Sequence, residues 1–325
     1  MINEVPSRLL FKWIGGKKWL SKNLISETSS IDLSNKKVYI EPFVGGMGAF
    51  LAIFQELKKY NFEKIILNDV NETIISTYNL VKTHPQEICD FTTKLEKDYD
   101  NSISDKSIHS LNKTKDKEKV KLGLKEAELF YKKVRTRFNK LKKIQSKKFE
   151  EKIETAAIFL FLQDHSFNGV YRENNSGEYN TPFNWDNKKY IIENRHKTIN
   201  DYSTFFKENH IEFTNLCVFK LLEEYSSNHS DSFIYLDPPY LNENEKNENQ
   251  YNKDHFGLKE QKKLLKTLES FDCFLFSNHL MPIFEEYFSK DGHSYKSIGR
   301  KNIMTSKKED RSKEILEILG VKEKN

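Results

Sequence analysis

Lys37-Val38-Tyr39-Ile40-Glu41-Pro42-Phe43-Val44-Gly45-Gly46-Met47-Gly48 decides the reading of the fold. Lys37 to Ile40 predicts a short strand, and Ala49 to Leu57 after the glycines predicts a helix. Lys64 to Asn68 then reads as a second strand and Glu72 to Lys82 as a second helix. Strand and helix in alternation are the rhythm of a parallel sheet. Glycines at the carboxyl end of such a strand let backbone approach a ligand closely, at the edge where doubly wound folds hold nucleotides. The spacing is G-G-x-G rather than G-x-G-x-x-G, a poor match to a pyrophosphate cradle. A tight turn and a ligand contact both remain open for it. Asp69 ends the second strand about 20 residues beyond Gly46, near the usual offset of a carboxylate that accepts ribose hydroxyls. A nucleoside ligand fits both features.

Further out, the chain has 325 residues, which predicts two domains or one with a large insertion. With 37% hydrophobic residues, 24 Phe and 15 Tyr, it carries far more apolar surface than disordered chains do. No run approaches eighteen apolar residues, and the N-terminal ten residues lack a signal-peptide core, so neither a membrane span nor secretion is expected. The expected location is the cytoplasm. Three cysteines, Cys89, Cys217 and Cys273, give neither a disulfide framework nor a thiolate zinc site, and H-E-x-x-H is absent from the sequence. No metal is expected.

The net charge of +5 is unevenly spread: Lys94 to Lys152 holds nineteen Lys and Arg against ten Asp and Glu. The run reads either as a solvated helical face or as a surface that meets a polyanion. From about Asn101 to Gln145 the pattern is charged and helical without strands, which marks an insertion. Glu151 to Gln163 is a stronger helix, with Ile153, Ala156, Ala157, Leu160 and Phe161 on one face. Phe167 to Phe183 reads as a hairpin whose turn, Asn174-Asn175-Ser176-Gly177, needs a positive φ. Elements resume at Cys217–Leu222, Phe233–Leu236, Lys259–Ser270 and Cys273–Ser277, and the Asn-rich stretch Leu241 to Lys253 reads as a mobile loop.

Asp237-Pro238-Pro239-Tyr240 follows the apolar strand Phe233 to Leu236. Two prolines fix φ and stop the ladder, so the Asp237 side chain and the Pro238 carbonyl point outward as two convergent acceptors. Tyr240 offers a face on which a planar base can stack. The set suits an exocyclic amine, whose hydrogens are donors and whose lone pair such bonds turn toward an electrophile. An ordinary Asp-Pro turn is the plainer alternative. Phe11-Lys12-Trp13-Ile14-Gly15-Gly16-Lys17 combines aromatics, paired glycines and lysines, and by itself reads as a turn with a packing Trp.

Together and in this order, these segments resemble the Dam-type (D12 class) DNA adenine-N6 methyltransferases. That family carries F-x-W-x-G-G-K, then a proline- and glycine-rich cofactor loop, an inserted recognition region and D-P-P-Y. The resemblance extends through Leu67-Asn68-Asp69-Val70-Asn71, Tyr78-Asn79 and Ser277-Asn278-His279. It implies a Rossmann-like methyltransferase sheet, α/β and mostly parallel with one antiparallel strand. It also implies an inserted, mostly helical DNA-recognition domain bearing a β-hairpin. The domains would be residues 1–82 (cofactor-binding), 83–189 (target recognition) and 190–325 (the D-P-P-Y part).

The implied reaction moves a methyl group from S-adenosylmethionine to N6 of an adenine flipped out of duplex DNA. In it Trp13, Gly15, Gly16 and Lys17 line the cofactor's methionine side, Glu41, Pro42, Phe43, Gly45 and Gly46 its centre, and Asp69 its ribose. Asp237 and Pro238 grip N6, Pro239 holds the turn, Tyr240 stacks on the adenine, and Asp237 also lies near the cofactor. Lys12, Phe167, Asn168, Arg172 and Pro182 meet DNA, Phe167 as a wedge and Arg172 as a reader of guanine. Asp164 departs from the family pattern, in which GATC readers carry a basic or small polar residue; an acidic charge there would repel phosphates. The implied partners are double-stranded DNA and a restriction endonuclease acting on the same site. Two other functions remain from the residues alone: a catalytically silent DNA-binding regulator, and methylation of RNA, protein amide or cytosine N4.

Overall fold

The computed structural model describes residues 4–13, 15–112, 115–186, 188–241, 256–301 and 314–323. Along the chain run α1 (Ser21–Ser30), β1 (Val38–Glu41), α2 (Gly48–Leu57), β2 (Lys64–Asn68), α3 (Glu72–Thr83) and α4 (Pro85–Asn101). Then come α5 (Lys117–Gly123), α6 (Lys125–Lys142), α7 (Phe149–His165), α8 (Ile192–Glu208), β3 (Ile211–Thr214), α9 (Val218–Glu224) and β4 (Ser232–Leu236). The last are α10 (Leu258–Leu268), β5 (Cys273–His279), α11 (Pro282–Phe288), β6 (His293–Lys301) and β7 (Glu314–Glu323).

Among the described residues the strands form one seven-stranded sheet in the order β3-β2-β1-β4-β5-β7-β6. β1 pairs in parallel with β2 and β4, β2 with β3, and β4 with β5. β7 runs antiparallel to both β5 and β6. The single reversed strand is the one the family resemblance implied. Every residue of β1 and of β4 is buried, as parallel strands covered on both faces require. Strand order reverses between β1 and β4, where Ile40 lies beside Ile234. A ligand crevice opens at the carboxyl ends of two such neighbours.

The chain divides into two compact units. One comprises Lys18–Val44, Ala49–Val70 and Ile211–Asn325, and holds the sheet. Its core gathers Ile40, Ile66, Ile234 and Phe276 of the strands with Leu221, Leu264 and Phe284 of the helices. Buried side chains of this kind contribute about 2–5 kcal/mol each against truncation to Ala.

The other unit comprises Met1–Lys17, Gly45–Gly48 and Asn71–His210. It is helical around α7, whose residues from Ala156 to Gln163 are all buried. A helix apolar on every side belongs at the centre of a bundle. Local sequence sets the helix starts. Asn71 caps α3 by accepting from the backbone N–H of Thr73 and Ile74, and Glu151 in the first turn of α7 reaches back to the Lys148 N–H at 2.9 Å. Pro85 opens α4, where a missing N–H costs nothing.

β2 occupies the residues expected of it, and β1 begins one residue later than expected. The charged insertion is helical, as its pattern indicated. The segment 217–222 proves to be the start of α9, because its apolar Val218, Leu221 and Leu222 fall at helical spacing onto the core. Periodicity did not reveal β3, β6 or β7. β3 is four residues long, and β6 at the sheet edge is mostly exposed and polar. Within the expected mobile loop, residues 242–253 lie outside the described residues.

Candidate active site

Three carboxyl groups stand at the carboxyl ends of three adjacent parallel strands. Glu41 closes β1, Asp69 follows β2, and Asp237 follows β4. Glu41 is 1% exposed, and Tyr39 donates a hydrogen bond to its Oε2 at 2.7 Å. Burial pushes the Glu41 carboxyl well above the usual carboxylate range; the Tyr39 bond opposes this, and the charges of Asp237 and Asp69 add to it. An acidic cluster repels phosphate and suits a ligand bearing positive charge and hydroxyl donors.

Asn68 fixes the turn that follows β1. Its amide nitrogen donates to the carbonyls of Pro42 (2.9 Å) and Leu216 (3.0 Å). Its side-chain oxygen accepts from Thr214 Oγ1 and the Leu216 N–H, both at 2.9 Å. All four bonding positions of that amide are thus used. The Val44 N–H donates to the Asn68 carbonyl, and the Phe43 ring meets Phe256 edge-on at 5.4 Å. Next along the chain, Asn215 Nδ2 donates to the Asp69 carbonyl at 2.7 Å, and the Asp69 side chain stays half-buried.

The segment Asp237-Pro238-Pro239-Tyr240 is gripped residue by residue. Ser277 Oγ, on β5, donates to Asp237 Oδ1 at 3.1 Å and lies 2.9 Å from the Tyr235 hydroxyl. Gln261 Nε2 donates to the Pro239 carbonyl at 2.8 Å, while the Pro238 carbonyl carries no hydrogen bond among the described residues. Tyr240 donates to Glu317 Oε2 at 2.8 Å, and its ring meets that of His279 edge-on. Burial, with the charges of Asp237 and Glu317, pushes the Tyr240 hydroxyl well above its ordinary pKa, so it remains a donor. One loop therefore presents a fixed carboxylate, a carbonyl and an aromatic ring.

In the other unit the N-terminal arm meets the glycine turn. Trp13 lies against it so closely that a Cβ on Gly45 would fall 2.7 Å from Trp13 Cδ1, and one on Gly46 2.9 Å from Trp13 Cβ. Gly45 also has φ +45°, so two constraints demand glycine at that position. Its carbonyl accepts from the Tyr78 hydroxyl at 2.9 Å. Lys17 is buried, with Nζ on the Gly15 carbonyl at 3.2 Å, and Gly16 is exposed.

The same arm touches the expected base-reading hairpin. Lys12 Nζ donates to the Asn168 carbonyl at 3.3 Å, and Trp13 stacks on Tyr171 with ring centroids 4.9 Å apart. The hairpin turns where expected: Gly177 has φ +72° and donates to the Asn174 carbonyl. Its arms pair through two isolated antiparallel bridges, Ser166 with Phe183 and Glu173 with Tyr179, rather than through continuous strands. Phe167 is 55% exposed, and its N–H donates to the carbonyl of the exposed Pro182 at 2.8 Å. Arg172 is exposed, with Nε held by Asn180 Oδ1 at 2.8 Å.

α6 braces this hairpin from the side. Tyr131 and Arg135 both donate to the Thr181 carbonyl, at 3.0 and 3.1 Å. Asn139 and the Tyr179 backbone exchange two hydrogen bonds, 2.8 and 3.1 Å. Lys142 reaches Glu173, the Tyr171 hydroxyl and the Gly177 carbonyl. These positions recur every three or four residues, hence on one helical face. On the rest of the helix Arg137 forms a bidentate pair with Glu154, and Lys132 pairs with Glu128. Part of the basic excess in this region is therefore matched by acids outside it, Glu154, Glu173 and Glu178 among them. Asp164, expected near phosphates, is paired with the Arg195 guanidinium and accepts from the Tyr190 hydroxyl at 2.6 Å; Arg195 also donates to the Leu10 carbonyl. Its charge is matched.

Composition and motif did not point to Asn139, Lys142, Gln261 or Glu317, and gave Asn68 only as part of a family motif, without its role. Each acts on residues distant in sequence, and a polar residue within a helix or strand carries no mark of its partner. Among the described residues no cluster of three or more His, Cys, Asp or Glu side chains is placed to hold a metal ion, and no described helix is long and apolar enough to cross a membrane.

The profile of the D12 class N6 adenine-specific DNA methyltransferase family matches residues 13–306. The chain is 31% identical to the Type II methyltransferase M.MjaIII of Methanocaldococcus jannaschii over 320 residues, covering 95% of this chain and 96% of that protein. It is 28% identical to a DNA adenine methylase of Haemophilus influenzae over 327 residues, with 98% and 96% covered. It is also similar to the Type II methyltransferase M1.LlaDCHI of Lactococcus lactis subsp. cremoris, 24% identical with 90% and 88% covered. The chain belongs to the D12 class N6 adenine-specific DNA methyltransferase family. It is an adenine-specific DNA methyltransferase.

Proposed function

We propose that this adenine-specific DNA methyltransferase takes its methyl group from S-adenosylmethionine, acts on an adenine rotated out of the duplex, and protects a restriction site. The observation that carries the reading is the loop after β4. There Asp237 is fixed by Ser277, the Pro238 carbonyl lies beside it in the chain, and Tyr240 follows as a stacking surface.

The donor set fits the cofactor. Asp69 and Asp237 supply negative charge, and Glu41 a further acceptor, at one sheet edge, which suits a ligand with a sulfonium, an ammonium and a ribose diol. Bound there, that cofactor would supply an electrophilic methyl group. Asp69 is the proposed ribose acceptor, with Pro42 and Phe43 beside it in the turn fixed by Asn68. Trp13, Gly15, Gly16, Lys17, Gly45 and Gly46 are the proposed methionine-side residues.

The protein's part in the transfer follows from hydrogen-bond chemistry. Asp237 and the Pro238 carbonyl accept the two N6–H bonds of adenine, which concentrates the nitrogen lone pair away from the ring. On methylation N6 must give up one proton, and the Asp237 carboxylate, already accepting one N6–H bond, would take it. An adenine inside a duplex cannot reach such a loop, so the base must leave the stack. Phe167, exposed at the hairpin, is the proposed wedge. Lys12, Asn168, Arg172 and Pro182 are the proposed DNA contacts, Arg172 as the reader of a guanine edge.

The restriction role, with a cognate endonuclease as partner, is supported by relatives named as Type II methyltransferases. Incubating duplex DNA with the protein and methyl-tritiated S-adenosylmethionine, then mapping modified adenines in a host genome, tests the reading. Label on N6 of adenine at one short sequence is the expected result. Absence of label, or label on cytosine, would overturn it.

A further inference from the structure

Tyr240 is held by a cross-strand pair. Its hydroxyl donates to Glu317 Oε2 at 2.8 Å, and the His279 ring meets it edge-on, with centroids 4.6 Å apart and planes at 70°. Glu317 on β7 and His279 on β5 stand directly opposite each other in the antiparallel register. Glu317 is 1% exposed, and the two residues that follow it, Ile318 and Leu319, are fully buried. A carboxylate there is costly unless its oxygens accept hydrogen bonds.

His279 is itself oriented. Its Nδ1 lies 3.1 Å from the carbonyl of Leu241, the residue after Tyr240, and a carbonyl only accepts, so Nδ1 carries the proton. One hydrogen bond therefore fixes the tyrosine hydroxyl, one ring edge fixes its face, and a second bond fixes the next peptide. A ring held before it meets its partner loses less rotamer freedom on stacking.

We infer that Glu317, seated across from His279, is the positioning residue that holds the Tyr240 ring for stacking on the extruded adenine. The inference rests on the proposed function. Its test uses the full chain, S-adenosylmethionine, and a duplex of the mapped site carrying either adenine or 2-aminopurine at the target. Tyr240→Phe and Glu317→Ala should each slow single-turnover methyl transfer about tenfold, the loss of one hydrogen bond to a charged group. Both should alter the 2-aminopurine fluorescence of the bound duplex alike and leave cofactor affinity unchanged. The double variant should be no slower than the slower single one. Glu317→Gln should retain most of the rate, since an amide oxygen still accepts.

Losses that multiply in the double variant, or a slow Glu317→Ala beside an unaffected Tyr240→Phe, would overturn the positioning role while leaving the proposed function standing. No transfer by the unaltered protein would overturn both. Should Glu317→Ala not fold, Tyr240→Phe decides: an unchanged rate and fluorescence would refute the inference.

Discussion

The loop at 237–240 and the hairpin at 166–183 are both short, exposed at their tips and assigned to meet DNA, yet they are anchored differently. The loop leaves a strand that is buried throughout and flanked by parallel partners, so main-chain register sets where it starts, and side chains of β5, α10 and β7 then hold its residues. The hairpin has two isolated bridges between its arms, and its shape is held by side chains of α6. Methyl transfer demands fixed geometry at one nitrogen, for which a sheet edge is suited. Sequence reading is a matter of which side chains reach the groove, and a laterally braced hairpin can change them without disturbing a sheet.

The largest expected effect lies on the loop. Asp237→Ala should lower turnover at least ~10²-fold, as loss of one preorganised electrostatic partner does, while cofactor binding stays measurable by calorimetry. Near-normal turnover would end the comparison, because the rigid region would then not hold the chemistry.

The hairpin should respond in discrimination instead. Arg172→Ala is expected to lose about 1–3 kcal/mol on cognate DNA and almost none on a duplex differing at one G·C pair. Equal losses on both duplexes would make Arg172 a phosphate contact. Asn139→Ala touches no DNA in this scheme; it removes the two bonds that steady Tyr179, each worth about 1 kcal/mol net. It should narrow the cognate preference several-fold with turnover on saturating cognate DNA intact. A fall in turnover without change in preference would show that α6 serves the bundle alone.

The smallest effect is a pH dependence in the sheet unit. The Glu41 carboxyl has its pKa raised by folding, so its contribution to stability is fully present below the ordinary glutamate value of about 4.3 and is lost as pH rises through the raised one. Glu41→Gln stays neutral and can still accept from Tyr39. Its melting temperature relative to the parent protein should rise between pH 4 and pH 8. A constant difference would mean that Glu41 keeps an ordinary pKa.

The contrast also explains what was legible in the sequence. β1, β2, the glycine turn and the strand before Asp237 stand out because buried parallel strands are short apolar runs and their ends carry Gly, Pro and Asp. The hairpin turn was legible through Asn174, whose side chain accepts from the turn's backbone, and Gly177, which the positive φ requires. The bracing by α6 was not, since Asn139 and Lys142 look like any residues of a charged helix until the hairpin is folded against them. For the same reason the lysine-rich run left a solvated face and a polyanion surface both open, whereas several of its members, Arg135, Arg137, Lys142 and Lys143 among them, bind carbonyls and carboxylates of the protein itself.

Asn68 closes β2 onto β3 through Thr214, a residue 146 positions later in the chain. During synthesis the ribosome must therefore deliver the whole helical bundle before the third strand can join the sheet. Were those residues a flexible tether, closing them would cost about 4 kcal/mol in chain entropy. A bundle already folded shortens the tether and removes most of that barrier. The connectivity therefore predicts that the bundle forms before β3 joins the sheet. Pulse-labelled hydrogen exchange on refolding chains should find amides of α7 protected before those of β3, and the reverse order would contradict it.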